Sequence, residues 1–143
     1  MIFLDSNILL YACGIHGEED VRTAKALAIV ESSQPMAISM QVIQEFFDNA
    51  IRPKRPRHLT VDEALGFVAQ WRRFEVVTTN MALFDDAVAI GRRYKFRYWD
   101  CAIIAAAASI GCRTVLSEDM QNGQKIDQLT IINPFLSASG DQS

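Results

Sequence analysis

Soft metal ligands are scarce in this chain. It has two histidines and three cysteines, and none stands in a zinc-binding spacing. Cys13, Cys101 and Cys112 are odd in number and form no CxxC pair. That argues against a disulfide framework and suits reduced, partly buried thiols in a cytoplasmic protein. His16 and His58 fall in expected loops, where an ordinary surface role is the default. Long apolar runs are missing too. The longest, residues 101–110, is too short to cross a bilayer, so no membrane association is expected. The opening Met1-Ile2-Phe3-Leu4-Asp5 has no basic segment and reaches a carboxylate at once, so it is not expected to be a signal peptide. A surplus of positive charge is also lacking. At a net charge of −3, any polyanion must be met by local basic patches or by metal ions.

What is present is globular. Half of the 143 residues are hydrophobic, a proportion that supports one domain with its own core. Residues 1–136 are expected to form that domain, and the small polar residues 137–143 to fray. Ile2-Phe3-Leu4, Met36-Ala37-Ile38, residues 75–78, 113–116 and 129–132 read as short strands. Helical spacing runs through residues 8–12, after a turn that Ser6-Asn7 can cap, and again through residues 18–31. Ser39 and Asn80 are expected N-caps, and Thr60-Val61-Asp62-Glu63 has the capping-box pattern. A last helix over residues 99–110 stops at Gly111. Strands that alternate with helices imply an α/β sandwich around a mainly parallel sheet.

Ligands of an open parallel sheet bind beyond the carboxyl ends of its strands. Asp5 follows the first strand directly, and Asp119 follows Thr114-Val115-Leu116 by a short step. Asp100 heads the apolar helix, and Glu45 lies on the helix capped by Ser39. Each acid alone has a bland explanation as helix cap, dipole partner, exposed helix residue or turn residue. Asp5 and Asp100, however, sit in apolar segments where an unpaired carboxylate is costly. A hard divalent cation such as magnesium or manganese makes clustered carboxylates tolerable.

Four segments resemble the motifs of PIN domains. They are Phe3-Leu4-Asp5-Ser6-Asn7-Ile8-Leu9, Gln44-Glu45-Phe46, Tyr98-Trp99-Asp100-Cys101-Ala102 with the apolar helix after it, and Leu116-Ser117-Glu118-Asp119-Met120-Gln121-Asn122-Gly123. They come in the family's order, span residues 2–133 and look most like the toxin halves of bacterial VapBC toxin–antitoxin pairs. No single motif is specific; together they are strong. The resemblance implies a three-layer α/β/α sandwich and an Mg2+- or Mn2+-dependent endoribonuclease. It also implies an RNA substrate, a small antitoxin partner and a homodimer. Asp5, Glu45, Asp100 and Asp119 carry over as the catalytic acids. Asp5, Asp100 and Asp119 would hold a metal that activates water, with Glu45 on a metal-bound water or a second ion. Ser117 and Asn7 carry over as supporting polar residues. Some relatives have a further acid or histidine near Asn122, where this chain has an amide.

The densest basic run, Arg52-Pro53-Lys54-Arg55-Pro56-Arg57-His58, follows the Glu45 helix. Arg55 and Arg57 there, and Arg97 just before Asp100, are candidates for gripping RNA. A solvated loop and a favourable helix C-terminus explain the same charges without RNA. The aromatic residues, Trp71 and Trp99 among them, are expected in core or interface. Two rival functions have recognisable requirements. Haloacid-dehalogenase-like phosphatases need a second Asp two residues after the first, where Asn7 stands here, and receiver domains need an acid pair with a lysine. A non-catalytic RNA- or protein-binding PIN relative would normally have lost acids, and all four are present.

Overall fold

The computed structural model describes residues 1–136, so the expected frayed tail, 137–143, lies outside the described residues. The chain runs β1 (Ile2–Leu4), α1 (Ser6–Ala12), α2 (Val21–Val30), β2 (Met36–Ser39), α3 (Met40–Ala50), α4 (Val61–Trp71), β3 (Glu75–Val77), α5 (Met81–Tyr94), α6 (Tyr98–Ser109), β4 (Thr114–Leu116), β5 (Lys125–Ile126) and β6 (Leu129–Ile132). The strands form one sheet in the order β3-β2-β1-β4-β6-β5. Only the short β5 runs antiparallel, against β6.

The centre of this sheet is its driest part. Phe3 of β1 lies between Ala37 of β2 and Val115 of β4 in register, and all three are fully buried. Strands covered on both faces need continuous apolar runs rather than alternation, which is what Ile2-Phe3-Leu4 and Met36-Ala37-Ile38 supply. Right-handed crossovers put α1–α4 on one face and α5–α6 on the other, giving three layers. On the first face α1 packs against α2 and α3, and α3 against α4. On the second, α6 is pressed between α5 and the sheet, so it is apolar nearly all round, with Ile103, Ile104 and Ala107 buried. Ala87 of α5 meets Cys101 and Ala105 of α6, where small side chains let the two helices approach closely.

Local differences from the sequence expectations have local causes. α1 begins at Ser6 because Asp5, not Ser6 or Asn7, is its N-cap. α2 begins at Val21 rather than residue 18. The turn at Gly17, φ 96°, and the Asp20 cap delay it. β5 is an added strand of two residues, closed onto β6 by Asp127-Gln128 with Asp127 at φ 53°. The capping box is present at Thr60 and Glu63, and Ser39 and Asn80 cap α3 and α5.

The strand order reverses direction at β1 and β4. The crossovers from β1 lead towards β2 and β3, and the return from β3 passes back over to β4. A crevice therefore opens between the carboxyl ends of β1 and β4. Asp5 leaves one of those ends and Ser117 the other.

Candidate active site

Asp5 ends β1 and caps α1, so its carboxylate is pinned from several sides. Its Oδ1 accepts from the Ser6 amide at 2.7 Å, and its Oδ2 accepts from the Ser117 hydroxyl at 2.7 Å. It is 6 % exposed. Burial raises its pKa from 3.8 to about 6, against the lowering by Ser117 and Ser6, and the charges of Glu45 and Asp119 push it the same way.

Asn7, one turn position on, ties the two strand ends together. Its amide donates to Asp119 Oδ2 at 3.1 Å and, at 3.4 Å, to Asp5 Oδ2 and Ser117 Oγ. Its oxygen accepts from the Glu118 amide at 3.1 Å. Ser117 is fully buried, and its Oγ also accepts from the Asp119 amide at 3.2 Å. The loop after β4 is thus held in one conformation relative to β1 by two short polar side chains.

Glu45 reaches the same crevice from α3. Gln41 and Asn49 stand one turn before and after it, on the same face, and both line the cleft with it. The Gln41 amide donates to Glu45 Oε2 at 3.3 Å and to the Trp99 carbonyl at 3.2 Å, linking α3 to α6. Asp100 lies in the first turn of α6, where the helix dipole favours a carboxylate. Both its oxygens are taken by Arg97, at 3.0 and 3.2 Å. The Arg97 side chain is 73 % exposed, so this pair is well solvated.

The four acids line one cleft of about 230 Å³, together with Ser6, Gln41, Asn49, Arg97, Trp99 and Ile103. Their oxygens are the donor type a hard divalent cation takes, and the charges of Glu45 and Asp119 add to the burial that raises Asp5. As the side chains stand, no three acidic, histidine or cysteine groups among the described residues converge to hold an ion. Arg97 on Asp100 and Asn7 on Asp119 occupy the oxygens instead. The donor set fits a cation in kind, and closing it requires Asp100 to part from Arg97.

A second polar cluster backs the loop after β4. The Tyr11 hydroxyl donates to Glu118 at 2.6 Å, and Arg22 bridges Glu118 at 3.2 Å and Asp20 at 2.8 Å. Arg22 also lies over the Tyr11 ring at 4.6 Å. Burial and the Glu118 partner both push the Tyr11 phenol up. These ties anchor α1 and α2 to the residue before Asp119.

The basic loop after α3 is divided. Arg55 donates to Asn49 Oδ1 at 3.4 Å and so reaches the cleft wall, and its Nε is buried without a partner among the described residues. Arg57 turns to Glu19 at 3.6 Å. His58 is exposed, with Nδ1 2.8 Å from the Arg55 carbonyl. His16 packs on Tyr11, and burial with the nearby Arg55 and Arg22 lowers its pKa. Neither histidine lines the cleft. Asn122 serves the fold there, accepting from the Asn133 amide at 2.8 Å.

Gln41, Asn49 and Tyr11 were not singled out from the sequence. The spacing of four about Glu45 was a usable signal for the first two, and nothing local marked Tyr11. Trp71 is core, as expected of an aromatic, whereas Trp99 is 61 % exposed on the cleft rim.

The family model for the PIN domain matches residues 2–123. Among curated proteins nothing matches. Similar solved structures include a toxin–antitoxin complex from Klebsiella pneumoniae, at 18% identity and a TM-score of 0.71, covering 94% of this chain and 98% of that one. VapBC2 from Rickettsia felis, bound to a DNA fragment from its promoter, is 17% identical with a TM-score of 0.64, over 92% of this chain and 97% of that one. VapC20 of Mycobacterium tuberculosis, described as a Sarcin-Ricin loop cleaving toxin, is 16% identical with a TM-score of 0.63, over 83% and 92%. At these identities the likeness is one of fold.

Proposed function

Because the chain belongs to the PIN domain family, we propose that it is a metal-dependent endoribonuclease, hydrolysing RNA phosphodiester bonds at Asp5, Glu45, Asp100 and Asp119. One observation carries this reading. Acids from four separate parts of the chain line a single cleft at the point where the strand order reverses. Residues 1–136 are the nuclease unit.

Asp5, Asp100 and Asp119 would hold Mg2+ or Mn2+, with Glu45 on a second ion or a water. When bound, such a cation neutralises the phosphate and acidifies a water. The protein's own share is orientation. Ser117 and the Ser6 amide hold Asp5, and Asn7 holds Asp119 against it. Glu45, held by the Gln41 amide, would take the proton of the attacking water. Arg97 exchanges Asp100 for a phosphate oxygen as the acids close, and Arg55 and Arg57 meet phosphates farther along the strand. Ile103 gives the cleft an apolar floor.

The same reading makes the chain the toxin of a toxin–antitoxin pair, with a small antitoxin and a homodimer as its assemblies. The likeness to the Klebsiella and Rickettsia complexes supports the antitoxin, and the homodimer rests on the family resemblance. No helix among the described residues is long and apolar enough to cross a membrane.

The test is cleavage of a structured RNA with Mn2+, with and without EDTA, by wild type and Asp100→Asn. Wild type is expected to cut, EDTA to stop it, and Asp100→Asn to lose more than about 90% of the rate, a barrier increase above ~1.4 kcal/mol. Retention of more than a tenth would remove Asp100 from the metal site. Binding without cleavage in any metal would make the protein an RNA-binding relative.

A further inference from the structure

A second hollow, of about 170 Å³, shares two walls with the acid cleft, because Asp100 and Asp119 line both. Its other walls are of two kinds. Phe96, Met120 and Ile131 are apolar, and Gln121 and Gln124 bring amides. No lysine or arginine lines it. With both carboxylates assigned to the cation of the acid cleft, the hollow has no positive group of its own for a phosphate, and its apolar walls and amides suit a neutral ring.

The backbone around the hollow is tied down. The Phe96 ring stacks on Tyr94 at 5.6 Å, with the planes 9° apart. The turn that carries the two glutamines is clamped to β6. Gly123 donates to the Ile131 carbonyl at 2.7 Å, and Ile131 donates to the Gln124 carbonyl at 2.9 Å. Gln124 spends its Nε2 on the Lys125 carbonyl at 3.1 Å, which leaves its side-chain oxygen. The Gln121 amide has no hydrogen-bond partner among the described residues, so it offers a donor and an acceptor side by side. Proteins read single-stranded RNA with this combination, apolar walls for the ring and polar groups for its edge.

We propose that this hollow is a nucleobase subsite. It receives one unpaired base of the RNA beside the phosphate held at the acids, and Gln121 and Gln124 read that base's edge. The proposal rests on the ribonuclease reading above, since the shared walls place base and phosphate within one nucleotide of each other.

Two measurements test it. The first sequences the products of a randomised RNA cut by wild type, Gln121→Ala and Gln124→Ala with Mn2+. Wild type should favour one base at a fixed position next to the cut, and each variant should weaken that preference by roughly tenfold. The conservative Gln121→Glu, which keeps the size and one acceptor, should alter which base is favoured. The second titrates uncharged adenosine, guanosine, cytidine and uridine into wild-type protein in EDTA, following the side-chain amide signals of Gln121 and Gln124 by NMR. At least one nucleoside should shift them, and Phe96→Ala should abolish the shift. An unchanged cutting preference in both alanine variants, with no amide shift by any nucleoside, overturns the subsite while leaving the nuclease intact. Amide shifts in a protein that cuts no RNA would keep the base site and sink the nuclease.

Discussion

Burial holds the Asp5 carboxyl at a pKa of about 6 although two good donors point at it. In the unfolded chain its value returns to about 3.8. The folded state then binds the extra proton between these two values, so Asp5 costs stability as the pH rises through that window. Two pKa units correspond to about 3 kcal/mol at neutral pH. Asp5→Asn removes this cost, and in EDTA the variant should gain on wild type in melting temperature from about pH 4 to about pH 6, then hold a constant lead above it. A difference that stays flat across the window would mean that Asp5 carries no such charge. Ser117→Ala acts in the other direction. It takes a donor from Asp5 and an acceptor from the Asp119 amide in a fully buried place, at a cost of about 1–3 kcal/mol. Asp5 then protonates at higher pH, so the acid limb of the cleavage profile should move up; an unmoved limb would leave Ser117 a packing role. At this scale Asp5 was conspicuous as a carboxylate ending an apolar run, whereas Glu45, Asp100 and Asp119 were gathered with it by the family resemblance. Their partners were less legible. Gln41 and Asn49 could have been found from the spacing of four about Glu45. Tyr11 could not, because its partner Glu118 is 107 residues away.

Among the elements, strands and caps were readable because their signals are local. Ser39, Thr60 and Asn80 each bond the backbone within three residues. β5 was not readable, since two residues carry no periodicity and its pairing depends on β6. The start of α5 was legible from Asn80, but the geometry of its end was not. Lys95 closes that helix in the left-handed region, at φ 62°, where a side chain is strained and glycine is not. Lys95→Gly should therefore stabilise the protein by about 0.5–1 kcal/mol despite glycine's greater freedom when unfolded. Urea denaturation measures it, and a loss of stability would show that the Lys95 side chain holds more than its backbone costs.

For the molecule as a whole, the layered architecture followed from alternation of strands and helices, while the six-strand order needed three-dimensional pairing. That order sets four acids around one crevice, and a cation that binds only the folded chain must stabilise all of it. At ten times its dissociation constant Mg2+ should add about 1.4 kcal/mol, which is roughly 3–6 °C in melting temperature for a domain of this size. Asp100→Asn should shrink that rise, and an equal rise in wild type and variant would separate the stabilising ion from the acids. The sheet order has a further consequence, which concerns synthesis. Asp5 directly follows β1, which pairs in parallel with β4, yet Ser117, which holds it, comes 112 positions later. A ribosome adding about 5–20 residues per second needs roughly 6–22 s to cover that distance. In that interval β1 can pair only with β2, once β2 has been made, and there is no Ser117 or Asp119 to complete the cleft. On the nuclease reading, the chain cannot cut RNA until β4 and the loop after it have been made and have folded onto β1.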